Sequence, residues 1–244
     1  QARVDRVQNR TRARHRVVQL QVAIAVPGQR GHTIALGDPQ CRQGVGQLRA
    51  TLQWRRGHIQ PGGQFKGQAA GAVGGGGCIS GMTTYLAEKT TATSVLGIEP
   101  AGAASMSAAL AAGEPVTLEH VDQFVDGAAV ARAGQMPFGV LSAAGDMVSV
   151  TTVDEGAVCT AMLDLYQNEG IIAEPAGALS VAGLMEADIE PDTTVVCLIS
   201  GGNNDVSRYG EVLERSLVHL GLKHYFLVDF PQEPGALRRF LDEV

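Results

Sequence analysis

The stretch Val148–Gly202, VSVTTVDEGAVCTAMLDLYQNEGIIAEPAGALSVAGLMEADIEPDTTVVCLISGG, switches repeatedly between two periodicities, and that switching decides the fold. Val148–Val153 is β-branched everywhere except Ser149 and reads as a strand. The capping-box pattern Thr152-Val153-Asp154-Glu155 then opens a helix. Its apolar positions Val158, Met162, Leu165 and Tyr166 recur at three- or four-residue spacing, and Gly170 ends it. Ile171–Ala173 reads as a short strand, and Pro175–Ala187 as a helix with proline at its first position. Thr194–Ile199 is an almost unbroken apolar run, the mark of a strand covered on both faces. Strands separated by helices of this length predict a parallel α/β sheet.

Outward from this stretch the pattern continues on both sides. Val95–Ile98 reads as a strand, and 103–112 as a helix of small residues stopped by Gly113. Downstream, Val206, Tyr209, Leu213, Leu217 and Leu220 mark one face of a helix; Leu222–Phe230 reads as a strand, and Pro234–Leu237 begins another helix. Residues 1–70 lack this order, and Val17–Val26 is their only plausible strand material. Charge breaks at the same place. Residues 1–70 carry twelve Lys or Arg against Asp5 and Asp38, a net +10, whereas 71–244 carry seven against twenty-three acids, a net −16. The basic segment reads as disordered, or as a GC-rich coding sequence in the wrong frame. A nucleic-acid arm is the competing reading, but Trp54 beside Arg55 and Arg56 is thin support for base stacking, and nucleic acid is disfavoured.

Composition closes off several classes. Of 244 residues, 45% are hydrophobic and 18% charged, too apolar for disorder throughout and enough for a sizeable core. No stretch reaches eighteen apolar residues, and the Arg-rich start lacks an apolar secretory segment. Cys41, Cys78, Cys159 and Cys197 are scattered without a CxxC pair and read as small buried hydrophobes of a reducing compartment. The expectation is a cytoplasmic protein without a membrane span.

Three stations could carry chemistry. Gly74–Gly77, followed by Cys78, precedes a helix-compatible stretch through Leu86 and Glu88; glycines there let backbone N–H groups converge on a phosphate. The run has neither GxGxxG nor GxxxxGK[ST] spacing, so it is equally a linker by composition. Ser200-Gly201-Gly202-Asn203-Asn204-Asp205 follows the buried strand, where ligands of α/β sheets sit, or is simply a capped turn. Glu174-Pro175 is explained as a helix start favoured by the macrodipole.

Together VGGGGCISG, LGIEPAGAASM, FVDGAAVARAG, DEGAVCTAMLDLYQNEGIIAEPAGALSVAGL and VVCLISGGNND resemble the biosynthetic threonine dehydratase (threonine ammonia-lyase) family, from about Val73 onward. The resemblance implies a pyridoxal-phosphate enzyme of the tryptophan-synthase-β fold type, a parallel α/β sandwich. On it, 71–221 is the C-terminal part of the catalytic domain and 222–244 the start of an ACT-like regulatory domain. It also implies that Gly74, Gly75, Gly76, Gly77 and Cys78 form the phosphate cup, with Cys78 replacing the usual leucine, and that Ser200 faces the pyridine nitrogen. The implied reaction is dehydration of L-threonine to 2-oxobutanoate and ammonia at the head of isoleucine synthesis. L-serine is a second substrate candidate, isoleucine and valine are effectors, and the intact form is a homo-oligomer.

Three departures lie upstream of Gly74. The family's Schiff-base lysine belongs to a Ser-Phe-Lys-x-Arg-Gly-like motif far before the glycines; Phe65-Lys66 copies two letters only eight residues before Gly74. A Ser-x-Gly-Asn-His-like motif is absent, and Ala69–Val73 is not the Val/Ile-rich strand expected before the glycines. No catalytic lysine is therefore assigned, and a partial enzyme, inactive alone, is expected, with a non-catalytic assembly module as the alternative. Some relatives hold a divalent ion through the positions of Glu99 and Ala103 and an acid where this chain has Ser105, so no metal site is expected.

Overall fold

The computed structural model describes residues 19–24, 67–89, 93–187, 193–229 and 233–243. Five strands, β1 (Gln19–Ile24), β2 (Gly67–Ala72), β3 (Thr93–Pro100), β4 (Val148–Val153) and β5 (Thr194–Ile199), form one sheet in the order β1-β5-β2-β3-β4. Every pairing is parallel. The helices are α1 (Gly77–Lys89), α2 (Ser105–Ala112), α3 (Gln135–Ala144), α4 (Glu155–Glu169), α5 (Pro175–Glu186), α6 (Tyr209–His219) and α7 (Ala236–Glu243).

Alternation along β3 explains why both faces of the sheet are covered. Leu96 and Ile98 point into a cluster with Val158, Met162, Leu179 and Val195 from α4, α5 and β5. Val95 points the other way, into a cluster with Ile79, Met106, Phe138 and Leu141 from α1, α2 and α3. The side-chain period of two thus feeds two cores, and a parallel sheet requires both.

β2 crosses residue 70, where the charge balance breaks, and its Gly-Gln-Ala-Ala-Gly-Ala sequence has almost no bulk. Its place between β3 and β5 explains how it holds. Ladder hydrogen bonds run on both sides, and the flanking helices supply the bulk: a Cβ on Gly71 would come within 3.2 Å of Met82 Sδ. On β3, a Cβ on Gly97 would lie 2.7 Å from Val73 Cγ2, and α5 sits so close that a Cβ on Gly183 would overlap Ile98 Cγ1. Small residues at the centre let helices rest directly on the sheet.

Four local readings need correction. Thr152 does not cap α4: it is paired with Glu99 in the sheet, and Asp154 is the cap, accepting from the Gly156 N–H at 2.7 Å. Ile171–Ala173 is not a strand: the Ile171 N–H folds back to Leu165 O to close α4, so the segment turns away from the ladder. Within Leu222–Phe230, residues 222–229 join no strand of the described sheet. The helix expected from Val206 begins as a single 3₁₀ turn, Val206–Arg208, with α6 following. The candidate strand Val17–Val26 contains β1; Cys41, Trp54 and Lys66 lie outside the described residues.

The α5–β3 contact gives a stability test. Gly183→Ala should cost about 1–3 kcal/mol by overpacking, and Ile98→Ala about 2–5 kcal/mol by cavity formation. The double variant should lose clearly less than the sum, because the new methyl fills part of the vacated space. Urea midpoints read this directly; strict additivity would show that α5 does not rest on Ile98.

Candidate functional site

The glycine and serine stations leave the sheet at its carboxyl edge, and the backbone of Glu174 bonds to the serine turn there. The register pairs Ala70 with Cys197, so the glycine loop after β2 and the serine loop after β5 leave neighbouring parallel strands at the same edge.

The four glycines serve different ends. Val73 is fully buried, and its N–H donates to Ile98 O at 2.8 Å, anchoring the loop. A Cβ on Gly74 would lie 3.1 Å from Ala128 Cα. Gly76 has φ +89°, and a side chain there would overlap Met106 Cε and come within 2.8 Å of Pro137 Cβ. At Gly75 and Gly77, by contrast, a Cβ would meet nothing within 4 Å. Two glycines are thus demanded by packing, and two leave the loop open on one side. The first-turn N–H groups of α1 have no intrahelical acceptors and carry the positive end of the helix dipole, so the opening is a candidate anion cradle.

Sequence reasoning gave no role to the segment that completes this wall. Gly134 N–H donates to Gly75 O at 3.0 Å, and Ala128 backs Gly74. The signal was the small-residue run in FVDGAAVARAG, which looks like any flexible loop until its close approach to the glycines is seen.

Cys78, the second residue of α1, is exposed rather than a buried hydrophobe, because its helix begins at the mouth of the loop. Partial desolvation nevertheless pushes its thiol up from the ordinary value. Cys159 and Cys197 are buried, and burial pushes each thiol up to about 12, so these two are packing residues.

Glu99 is fully buried at the end of β3, but its oxygens are committed to protein donors. Oε1 accepts the Met106 N–H at 2.7 Å; Oε2 accepts the Ser107 N–H at 2.8 Å and the Ser107 hydroxyl at 2.6 Å. Burial pushes this carboxyl up from its ordinary value, while the hydrogen bonds from Ser107 and Met106 pull it back. Glu99 thus works as a buried anchor for the first turn of α2, and Ser105 contributes a buried hydroxyl without a hydrogen-bond partner. Among the described residues, no group of three His, Cys, Asp or Glu is placed to hold a metal ion.

Two lysines fall within the described residues. Lys89 ends the thirteen-residue α1, about 18 Å of helix rise from the glycines. Lys223 is paired with Glu214 beyond α6. Lys89 is thus remote from the glycines, Lys223 is committed to Glu214, and Lys66 lies outside the described residues.

A wound parallel sheet whose glycine loop and serine loop leave neighbouring strands is an arrangement that can hold a phosphorylated cofactor. Residues 65–201 match the family described as pyridoxal-phosphate dependent enzyme, so the chain belongs to that family. Residues 214–244 match the C-terminal regulatory domain of threonine dehydratase. L-threonine dehydratase biosynthetic IlvA of Mycobacterium tuberculosis is 87% identical over 172 residues, covering 70% of this chain. The protein of the same description from Corynebacterium glutamicum is 62% identical over 172 residues. The chain spans about 40% of the length of these curated relatives. Among solved structures, the processed form of threonine deaminase isoform 2 from Solanum lycopersicum superposes with TM-score 0.58 at 32% identity, covering 62% of this chain and 44% of that one. Maize serine racemase gives 0.52 at 26%, covering 62% and 48%. The parallel α/β sandwich is therefore that of fold-type-II pyridoxal-phosphate enzymes. Among the described residues no helix is long and apolar enough to cross a membrane.

The two kinds of glycine predict different outcomes. Gly76→Ala should lower stability by about 2 kcal/mol through left-handed strain and overlap. Gly75→Ala and Gly77→Ala should stay within about 0.5 kcal/mol of the parent. Thermal melts of the three variants check this, and equal losses would show that the loop is not open at Gly75 and Gly77.

Proposed function

We propose that this chain carries the phosphate- and ring-binding half of a threonine dehydratase. The intact protein would convert L-threonine to 2-oxobutanoate and ammonia, with L-serine as a second substrate. The observation that carries this reading is the juxtaposition of an open glycine cradle and Ser200 on neighbouring parallel strands.

The residues present fit pyridoxal phosphate at two of its ends. Gly75, Gly76, Gly77 and Cys78 would present backbone N–H groups to the phosphate at the positive end of α1, with Gly74 keeping the loop against Ala128. Ser200 would present a neutral hydroxyl to the ring nitrogen, leaving that nitrogen without an imposed charge. When bound, the cofactor supplies the electron sink through which an α-proton and a β-hydroxyl are lost. Moving that proton requires a lysine, but Lys89 is remote from the glycines and Lys223 is committed to Glu214. In the complete assembly, which we read as a cytoplasmic homo-oligomer, residues 214–244 would belong to the part that answers isoleucine or valine.

The test is a titration of the purified 244-residue chain with pyridoxal phosphate, followed by borohydride reduction, peptide mapping and a keto-acid assay with threonine. Saturable binding, competed by inorganic phosphate and without stable labelling of an internal lysine, is expected. Turnover should be negligible at saturating cofactor. Absence of binding would remove the cradle reading. Threonine turnover abolished by Lys66→Ala would show instead that the catalytic lysine is in this chain.

A further inference from the structure

We propose that Glu174 is the positioning residue for Ser200, holding the serine turn so that its hydroxyl meets the ring nitrogen of the cofactor; this deepens the reading of the cradle and rests on it. Glu174 stands where a helix cap belongs, immediately before Pro175, yet its side chain makes no capping bond to α5. The carboxylate leans instead across the carboxyl edge of the sheet, onto the turn after β5.

That turn is gripped at several points from residues 173–177. The Glu174 N–H donates to Gly201 O at 3.1 Å, and the Asn203 N–H donates to Glu174 Oε2 at 3.2 Å. The Asn204 side-chain amide donates to Ala173 O at 3.2 Å. Contact is close enough that a Cβ on Gly201 would overlap Glu174 Oε1, and one on Gly177 would overlap Gly201 O. Gly127, from the loop backing the cradle, faces the same carboxylate: a Cβ there would lie 3.5 Å from Glu174 Oε1. Glu174 therefore sits where the cradle wall, α5 and the serine turn meet.

The two bonds to Gly201 and Asn203 close a small loop around residues 201–203. Ser200 enters that loop directly from β5, whose pairing with β1 continues to Ile199. With Ile199 fixed by the sheet and Gly201 by Glu174, little backbone freedom remains at Ser200. The carboxylate geometry matters more than its charge, since its bonded partner is a backbone N–H that an amide oxygen would serve as well. A side chain tied to its own helix would leave the turn without its tie at Asn203, held only by the sheet, the Glu174 N–H and the Asn204 amide.

Binding of pyridoxal phosphate and of inorganic phosphate to the 244-residue chain and its variants tests this. Glu174→Ala should weaken pyridoxal phosphate about tenfold, the worth of one well-placed hydrogen bond, and Glu174→Gln should recover most of that loss. Inorganic phosphate, which senses only the cradle, should bind all variants alike. Because Glu174 acts through Ser200, Glu174→Ala combined with Ser200→Ala should be no weaker than Ser200→Ala alone. Without ligand, amide exchange at Asn203 should speed up in Glu174→Ala and not in Glu174→Gln. Parent-like cofactor affinity in Glu174→Ala, additive losses in the double variant, or an equal loss of phosphate affinity would each overturn the assignment. A parent chain that binds phosphate but not pyridoxal phosphate would overturn the ring-site reading itself, a result separable from failure of Glu174 alone.

Discussion

The parallel pairing of β2 with β5 is the constraint on which the site depends. It brings Gly74 and Ser200, 126 positions apart in the chain, to adjacent strand ends. A hydrogen-bonded ladder fixes that distance within narrow limits, whereas flexible loops could not. The pairing is possible only because β2 is nearly all glycine and alanine, with Ala69 and Ala70 buried among helices that press from both sides. Bulkier residues would lift α1 and α5 from the sheet and move both loops with them. The low hydrophobic content of this strand is therefore a condition for the site, not a defect of the sequence.

The same economy recurs around the rim. Gly76 is required by backbone conformation and by Met106, whereas Gly177 and Gly201 are required by each other and by Glu174. Each is a place where two backbones, or a backbone and a carboxylate, approach closer than a Cβ permits. Loops held this way inherit the rigidity of the core beneath them.

Much of this was legible from residue order. Strands at Val95–Ile98, Val148–Val153 and Thr194–Ile199 were visible because β-branched and apolar residues cluster there, and α4 and α5 because of helical spacing and clear stops. Gly170 is left-handed at φ +67°, as its place after α4 implies. β2 was obscure because its signal is tertiary: nothing in Ala69–Val73 announces a central strand until the covering helices are known. Leu222–Phe230 failed for the opposite reason. Its residues favour a strand, yet Phe226 is 83% and Leu227 97% exposed, and strand propensity without a partner edge makes no strand. The glycine run and Ser200 were legible as motifs after strands, whereas Glu174 was credited only with a helix start, since a carboxylate beside proline has a sufficient local explanation. Its reach to Asn203, 29 residues away, exists only in the folded chain.

α6 shows how closely the two matched families are joined in this chain. The regulatory match begins at Glu214, inside α6, yet that helix is seated on the catalytic sheet's own layer. Val212 is buried in the same core as Val158 and Met162, and the Ser216 hydroxyl hydrogen-bonds Thr160 at 2.9 Å in the interior. At its last turn His219 lies 3.4 Å from Asp154, the cap of α4, and 3.7 Å from Glu186 at the end of α5. Arg208 and Arg215 flank Phe124, in the segment leading to the cradle wall, at 4.9 and 4.1 Å from its ring centre. The helix that opens the regulatory segment thus meets α4, the last residue of α5 and Phe124 on the approach to Gly127. A boundary drawn at Glu214 separates two sequence families, but the physical unit runs through α6 without a break.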